Sequence, residues 1–268
     1  NAILYAMNHF VERPCHFFLL HVNIEGSDYL EKPVYTFGTN IMVEKEPKNI
    51  DGRLKRLESF AKSVSSSKRN HRFTAIREGS FFLESIRKHV KDKEIELIVM
   101  GTQGASEIKE FFIGTRAGDV ITKVECDVLV VPHKARYQDF KEVVFTTDLK
   151  MDYTDDVLID ISEVIPSKTT RIQILHITKS DKALTPEAKE RKENLLQRLT
   201  ESLPNPIDFH SMNHKNVEKA ILDFAKTMSA DLIMMVSKEH PLLHRLFLDT
   251  TVEEVSFETD VPLLSLQG

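Results

Sequence analysis

Short, nearly unbroken apolar runs alternate along this chain with longer stretches of helical spacing. In the first half the runs are Phe17 to Val22, Ile95 to Met100 and Val128 to Val131, with Phe73 to Arg77 as a more polar fourth. In the second half they are Val143 to Thr146, Ile172 to Ile177, Leu232 to Val236 and Leu263 to Leu266, with Phe209 inside another. Runs of this length predict strands covered on both faces. Between them, apolar residues recur every three or four positions. That spacing predicts helices over Asn1 to Val11, Leu54 to Val64, Phe82 to Val90 and Arg116 to Val124. In the second half it predicts Val157 to Ile165, Pro186 to Leu203, Val217 to Met228 and Thr251 to Val255. Ser80 is the expected N-cap of the third helix, and Thr185 caps the helix that opens on Pro186. Strands alternating with helices imply parallel sheets with helices on both faces. Residues 23 to 50 are too long for a plain loop. They read equally well as a disordered excursion or as a lid.

The second half repeats the first. Glu96 to Met100 lines up with Asp231 to Met235 at an offset of 135, and without a gap Val128 to Val131 meets Leu263 to Leu266. Upstream, His16 to Val22 lines up with Arg171 to Ile177 at an offset of 155. A repeat of this period means two domains, here 1–133 and 141–268, joined by a short polar linker. The helix at Asn1 aligns with Asp156, so the strand Val143 to Thr146 has no counterpart in the first half. A parallel sheet lacking a central strand would leave ladder groups unpaired on two neighbours. The natural chain is therefore expected to carry a strand before Asn1.

Composition narrows the class without deciding it. The chain has 268 residues, a formal net charge of -5 and 41% apolar residues. No Lys/Arg cluster points to nucleic acid, and no run approaches a membrane span. Cys15 and Cys126 form neither a disulfide framework nor a zinc spacing, and both adjoin strands, where a small buried thiol is the expected reading. A reducing, cytoplasmic setting is expected.

One motif carries chemistry. Gly101-Thr102-Gln103-Gly104, nine residues, then Gly114-Thr115 follow directly after the strand Ile95 to Met100 and precede a helix. Glycines let the backbone approach phosphates closely, and a helix N-terminus offers free N–H groups and a positive dipole end. At the same offset Gly101 becomes Val236, Gly104 becomes Glu239 and Gly114 becomes Asp249, while Thr115 stays as Thr250. The second copy therefore places negative charge and side chains where a polyphosphate would lie. Glu107 and Glu110 outnumber Lys109 before Arg116, so a bound metal is expected to balance charge in the first copy.

The Gly101–Thr115 motif, the strand end Leu19-Leu20-His21-Val22 and the closing strand Val128 to Val131 resemble the universal stress protein family. The likeness spans nearly the whole chain as two tandem copies. It implies two Rossmann-like (adenine nucleotide alpha hydrolase-like) α/β domains, each with a five-stranded parallel sheet, the first strand of domain 1 being absent. It implies ATP, with Mg²⁺ or Mn²⁺, held by Gly101, Gly104, Gly114, Thr115 and the adjoining Arg116, with the backbone of Val22 meeting the adenine. Asp148 stands at the position of the family's adenine-contacting Asp, but beside a degenerate loop. Pro262 matches the family's frequent Pro before the last strand, where the first half has Asp127. The resemblance further implies that Val128–Val131 and Leu263–Leu266 pair with each other. A homodimer of the whole chain and an unidentified regulatory protein stay open as partners.

No catalytic set and no protein metal site emerge. A P-loop lacks its G-K-[S/T], a hydrolase elbow is absent, and His240 to His244 lacks the metalloprotease Glu. His210 and His214 lack a third ligand, and His21 and His176 occupy equivalent strand ends, which favours a structural role. The main reading is a nucleotide-binding stress-response module. A slow ATPase of the same fold and a nucleotide-free scaffold are the alternatives.

Overall fold

The computed structural model describes residues 1–22, 50–65, 71–79, 81–102, 115–165, 167–178, 183–236 and 259–267. The contacts divide it into two compact units, residues 10–94 and residues 1–9 with 95–268. These boundaries follow the contacts and so fall elsewhere than the sequence repeat.

The smaller unit holds β1 (His16–Val22), α2 (Ile50–Val64), β2 (Arg72–Glu78) and α3 (Phe82–Asp92). The two strands pair in parallel from His16↔Arg72 to Val22↔Glu78. Phe17 stacks on Phe73 at 5.3 Å between ring centroids, a cross-strand pair that fixes this register. Helix α2 buries Ala61 fully but leaves Leu57, Phe60 and Val64 exposed. Helix α3 starts after Phe81, whose side chain forms no cap bond. Ser80, the cap expected from the sequence, lies outside the described residues. Glu78, at the end of β2, accepts hydrogen bonds from Lys88 (3.1 Å) and His89 (2.7 Å) on α3. These two bonds hold its carboxyl below the usual range.

The larger unit begins with α1 (Ala2–His9) and continues through β3 (Leu97–Gly101), α4 (Thr115–Lys123), β4 (Asp127–Val131), β5 (Glu142–Thr147), α5 (Asp155–Val164), β6 (Arg171–Thr178), α6 (Pro186–Ser202), β7 (Ile207–Asn213), α7 (Val217–Thr227), β8 (Leu232–Val236) and β9 (Leu263–Leu266). Its seven strands form one sheet in the order β3-β4-β9-β8-β5-β6-β7. Every neighbouring pair is parallel except β4 and β9, which run antiparallel.

The repeat is visible in the register. Ile98 faces Val128 and Ile233 faces Leu263, the same pairing displaced by 135 residues. Where the two copies meet, Leu129 faces Leu264, its own repeat equivalent, flanked by Val128↔Ser265 and Val130↔Leu263. A pseudo-twofold axis therefore passes through this pair, and the same short strand serves as both sides of an isologous contact. Gln267 closes the seam. Its backbone N–H donates to Asp127 Oδ1 (2.8 Å), and its Nε2 donates to the carbonyls of Val124 and Cys126.

The second half builds the five-stranded, both-faces-covered layer that its pattern predicts. Strands β5 and β8 and the β6 core positions Ile172 and Ile174 are essentially fully buried. Helices α5 and α6 pack over them through Val157, Ile161, Leu195 and Leu199. Each helix is started by a polar cap. Thr154 accepts from Val157 N, Thr185 from Ala188 N and Asn216 from Lys219 N. Such caps contribute about 1 kcal/mol each.

The first half differs from the expected single sheet. Its strands are distributed between the separate two-stranded sheet and the edge of the seven-stranded one. The physical reason is visible in the second half, where β5 is the strand that joins β6 to β8. The first half has no described strand in that role.

Candidate functional site

Strand β3 is built from Leu97, Ile98, Val99 and Met100 and ends on Gly101. The apolar residues are half-buried and Gly101 is exposed. The next residue, Thr102, is buried, and its N–H donates to Val131 O at 3.3 Å, which holds the chain against β4 one step beyond the strand. Helix α4 starts at Thr115. It packs through Ala117, Val120 and Ile121, all nearly fully buried, so its axis is fixed by its own apolar stripe.

Two of the expected site residues thus stand where the motif requires: Gly101 at the carboxyl end of a parallel strand and Thr115 at the amino end of a helix. Arg116 lies in the first turn of α4 and is exposed. That turn carries no acidic residue. The amino end of a helix is the positive end of its dipole, and Arg116 adds a positive charge there. Gly104 and Gly114 lie outside the described residues, as does the second copy's loop with Glu239, Asp249 and Thr250. Val22 ends β1 in the smaller unit, as the sequence predicts.

Among the described residues no group of three His, Cys, Asp or Glu side chains could hold a metal ion. Cys15 is half-buried, Cys126 is buried and neither is in a disulfide. Burial pushes the Cys126 thiol up, which keeps it protonated and unreactive.

In the second half, the turn after β5 is held by its own side chains. Thr147, at the end of β5, accepts from Tyr153 Oη–H at 2.7 Å and from Leu149 N at 3.0 Å. Asp148 Oδ1 accepts from Lys150 N at 3.0 Å. Leu149, between them, is buried and sits at φ 56, in the left-handed region. A branched residue there costs roughly 1–2 kcal/mol, which the two flanking side-chain bonds offset. Arg191 Nη1 adds a bond to Leu149 O at 3.4 Å. His176, at the end of β6, is buried against Ser211 Oγ at 3.1 Å, and desolvation holds its pKa down. The sequence shows the Thr-Thr-Asp step but gives no signal of the Tyr153 latch, because a tyrosine six residues on has no fixed geometry without the turn between.

No helix among the described residues is long and apolar enough to cross a membrane. The model of the Universal stress protein family matches residues 2–132. A Staphylococcus epidermidis protein described as a universal stress protein is 32% identical over 69 residues, 26% of this chain and 42% of that protein. The chain thus spans less than half the length of the curated relatives it matches. Among solved structures, a universal stress protein from Archaeoglobus fulgidus superposes with a TM-score of 0.65 at 18% identity, covering 99% of this chain and 90% of that one. The cytoplasmic domain of a prokaryotic cation chloride cotransporter gives 0.52 at 11% identity, covering 98% and 89%. At such identities both likenesses speak for the fold alone. The family model's match falls on the half that carries the glycine motif: residues 2–132 match the universal stress protein family.

Proposed function

We propose that the first repeat half, residues 1–133, binds ATP or a related adenine nucleotide at the Gly101–Thr115 end of β3, and that the second half, 141–268, is a degenerate copy that binds none. The observation that carries this reading is a strand ending on exposed Gly101, followed by a helix that opens at Thr115 with no acid in its first turn. The phosphates would lie against the glycine backbone and the first turn of α4, with Arg116 adding charge. A bound Mg²⁺ or Mn²⁺ would neutralise phosphate charge beside Glu107 and Glu110. Nucleotide occupancy would bias a surface read by a regulatory partner, which is the work of a stress-response sensor in the cytoplasm.

Calorimetric titration with ATP and Mg²⁺ tests this, beside a Gly104→Glu variant that copies the second half. One site per chain, weakened at least about 100-fold in the variant, is the expected result; that loss corresponds to about 2.7 kcal/mol. Absence of heat and of any thermal shift in the parent protein would replace this reading with a scaffold. Steady phosphate release abolished by the same substitution would move it to a slow ATPase.

A further inference from the structure

We infer that His210 and Met212, both on strand β7, form a binding site for a soft monovalent metal ion, Cu⁺ or Ag⁺, held between an imidazole nitrogen and a thioether sulfur. The site lies in the second repeat half and does not depend on the nucleotide reading.

A diagonal row of polar side chains crosses three parallel strands. Val144 pairs with Gln173 and Leu175 with His210, and alternate residues of a strand share a face. Glu142 on β5, Gln173 on β6 and His210 on β7 therefore stand on one face of the sheet. Gln173 Nε2 donates to Glu142 Oε2 at 2.9 Å, and Gln173 Oε1 meets His210 Nε2 at 2.6 Å. Chemistry fixes the direction of both bonds. A carboxylate only accepts, so the amide turns its NH₂ to Glu142 and its oxygen to His210. An amide oxygen also only accepts, so the imidazole carries a proton on Nε2. Gln173 is buried, which holds the amide in this orientation. In the neutral ring the lone pair then belongs to Nδ1. Among the described residues no hydrogen bond reaches that atom, and the half-buried ring rests on Phe224 of α7 with centroids 5.0 Å apart. Metal-binding histidines are built this way: one nitrogen donates to a fixed acceptor, which sets the tautomer and aims the other nitrogen.

The second donor lies on the same strand. Met212 is two residues further on, so alternation puts it on the His210 face, about 6.6 Å along the strand. It is half-buried, like His210. Its unbranched side chain and polarizable sulfur adapt readily to a neighbour's position. The nearby charged and polar groups are already engaged. Arg171 bonds Asp208 at 2.7 Å and stands 3.8 Å from Glu142, and His214 Nδ1 accepts from Asn216 N at 3.1 Å. Among the described residues no three His, Cys, Asp or Glu side chains gather to make a zinc site. One imidazole and one thioether suit instead a soft ion that accepts two ligands.

The probe is Ag⁺, added in chloride-free buffer to the full chain carrying Cys15→Ser, which removes a competing half-buried thiol. At about pH 8, where an imidazole is ordinarily neutral, long-range ¹H–¹⁵N spectra of the metal-free protein should show His210 protonated on Nε2 alone. One equivalent of Ag⁺ should then shift His210 Nδ1 and the Met212 methyl together. Met212→Leu, which conserves volume, should weaken the ion at least about ten-fold, the smallest cost of losing even a partner behind a metal ligand. Gln173→Met should weaken it about ten-fold and let the proton occupy either ring nitrogen. The inference is overturned if the resting proton sits on Nδ1, if Ag⁺ leaves either His210 or Met212 unmoved, or if Met212→Leu binds as tightly as its parent.

Discussion

Strands β3 and β8 are the same strand twice, and they live in different surroundings. Each lies parallel to the closing strand of its own repeat, in identical register. Yet β8 is buried from end to end and finishes on Val236, whereas β3 is half-buried and finishes on an exposed glycine. Burial on both edges lets β8 serve as a core element. Strand β3 instead presents an exposed glycine at its carboxyl end. The contrast teaches that one repeated strand, in the same register with its closing strand, meets different surroundings in its two copies.

The largest test of that contrast is truncation at matched positions. Met234→Ala in β8 should cost about 2–5 kcal/mol, since the side chain is fully buried. Val99→Ala at the matched position of β3 should cost only about 1 kcal/mol. Chemical denaturation of both variants checks the ratio, and equal costs would erase the distinction.

Next comes the seam, where the two copies carry different residues before their last strands. Burial pushes the Asp127 carboxyl up to about 7, with Asp160 adding to the rise and the bond from Gln267 N opposing it. The folded protein thus holds this proton more tightly than the unfolded chain. Asp127 should therefore lower stability progressively as pH rises from about 4 to about 7. Asp127→Asn removes that dependence. It should match the parent near pH 4 and exceed it by on the order of 2 kcal/mol at pH 8. Melting curves across this range decide the matter, and a parallel shift at all pH values would contradict it.

A smaller effect is expected at the turn after β5. Thr147→Val leaves Leu149 N and the Tyr153 hydroxyl without their acceptor, at a cost of about 1–3 kcal/mol. Restoration by Thr147→Ser would show that the hydroxyl, not the methyl, holds the turn. The smallest stability effect belongs to Gly101→Val, which copies Val236 onto an exposed strand end. It should change stability by less than about 0.5 kcal/mol while weakening ATP binding measurably in the same calorimetric experiment. A variant that binds normally would remove Gly101 from the site.

Strand positions were legible because each is a short apolar run bounded by polar residues. Leu232 to Val236 and Leu263 to Leu266 begin and end where the pattern says they do. Helix α6 announces itself through Thr185 and Pro186, both of which act locally. The start of α3 was less legible, since Phe81 has the cap position without a capping side chain. Leu149 in the left-handed region could not be foreseen, because nothing in the residue type favours it. Its conformation is imposed by Thr147 and Tyr153. Sheet membership of the first-half strands was equally hidden. An apolar run does not reveal whether its second neighbour is present, and that neighbour decides which strands share a ladder. In the candidate site, the strand-glycine and helix-start positions were readable from spacing.

The pairing of Leu129 with Leu264 has a consequence for dilution. A twofold contact between separate molecules obeys mass action, so its occupancy falls as the protein is diluted and its melting point depends on concentration. Here both strands belong to one chain, and the linker 133–141 replaces the second molecule. The contact then has a fixed effective concentration, set by tether length rather than by how much protein the cell makes. A protein so built keeps the same joined arrangement when it is scarce as when it is abundant.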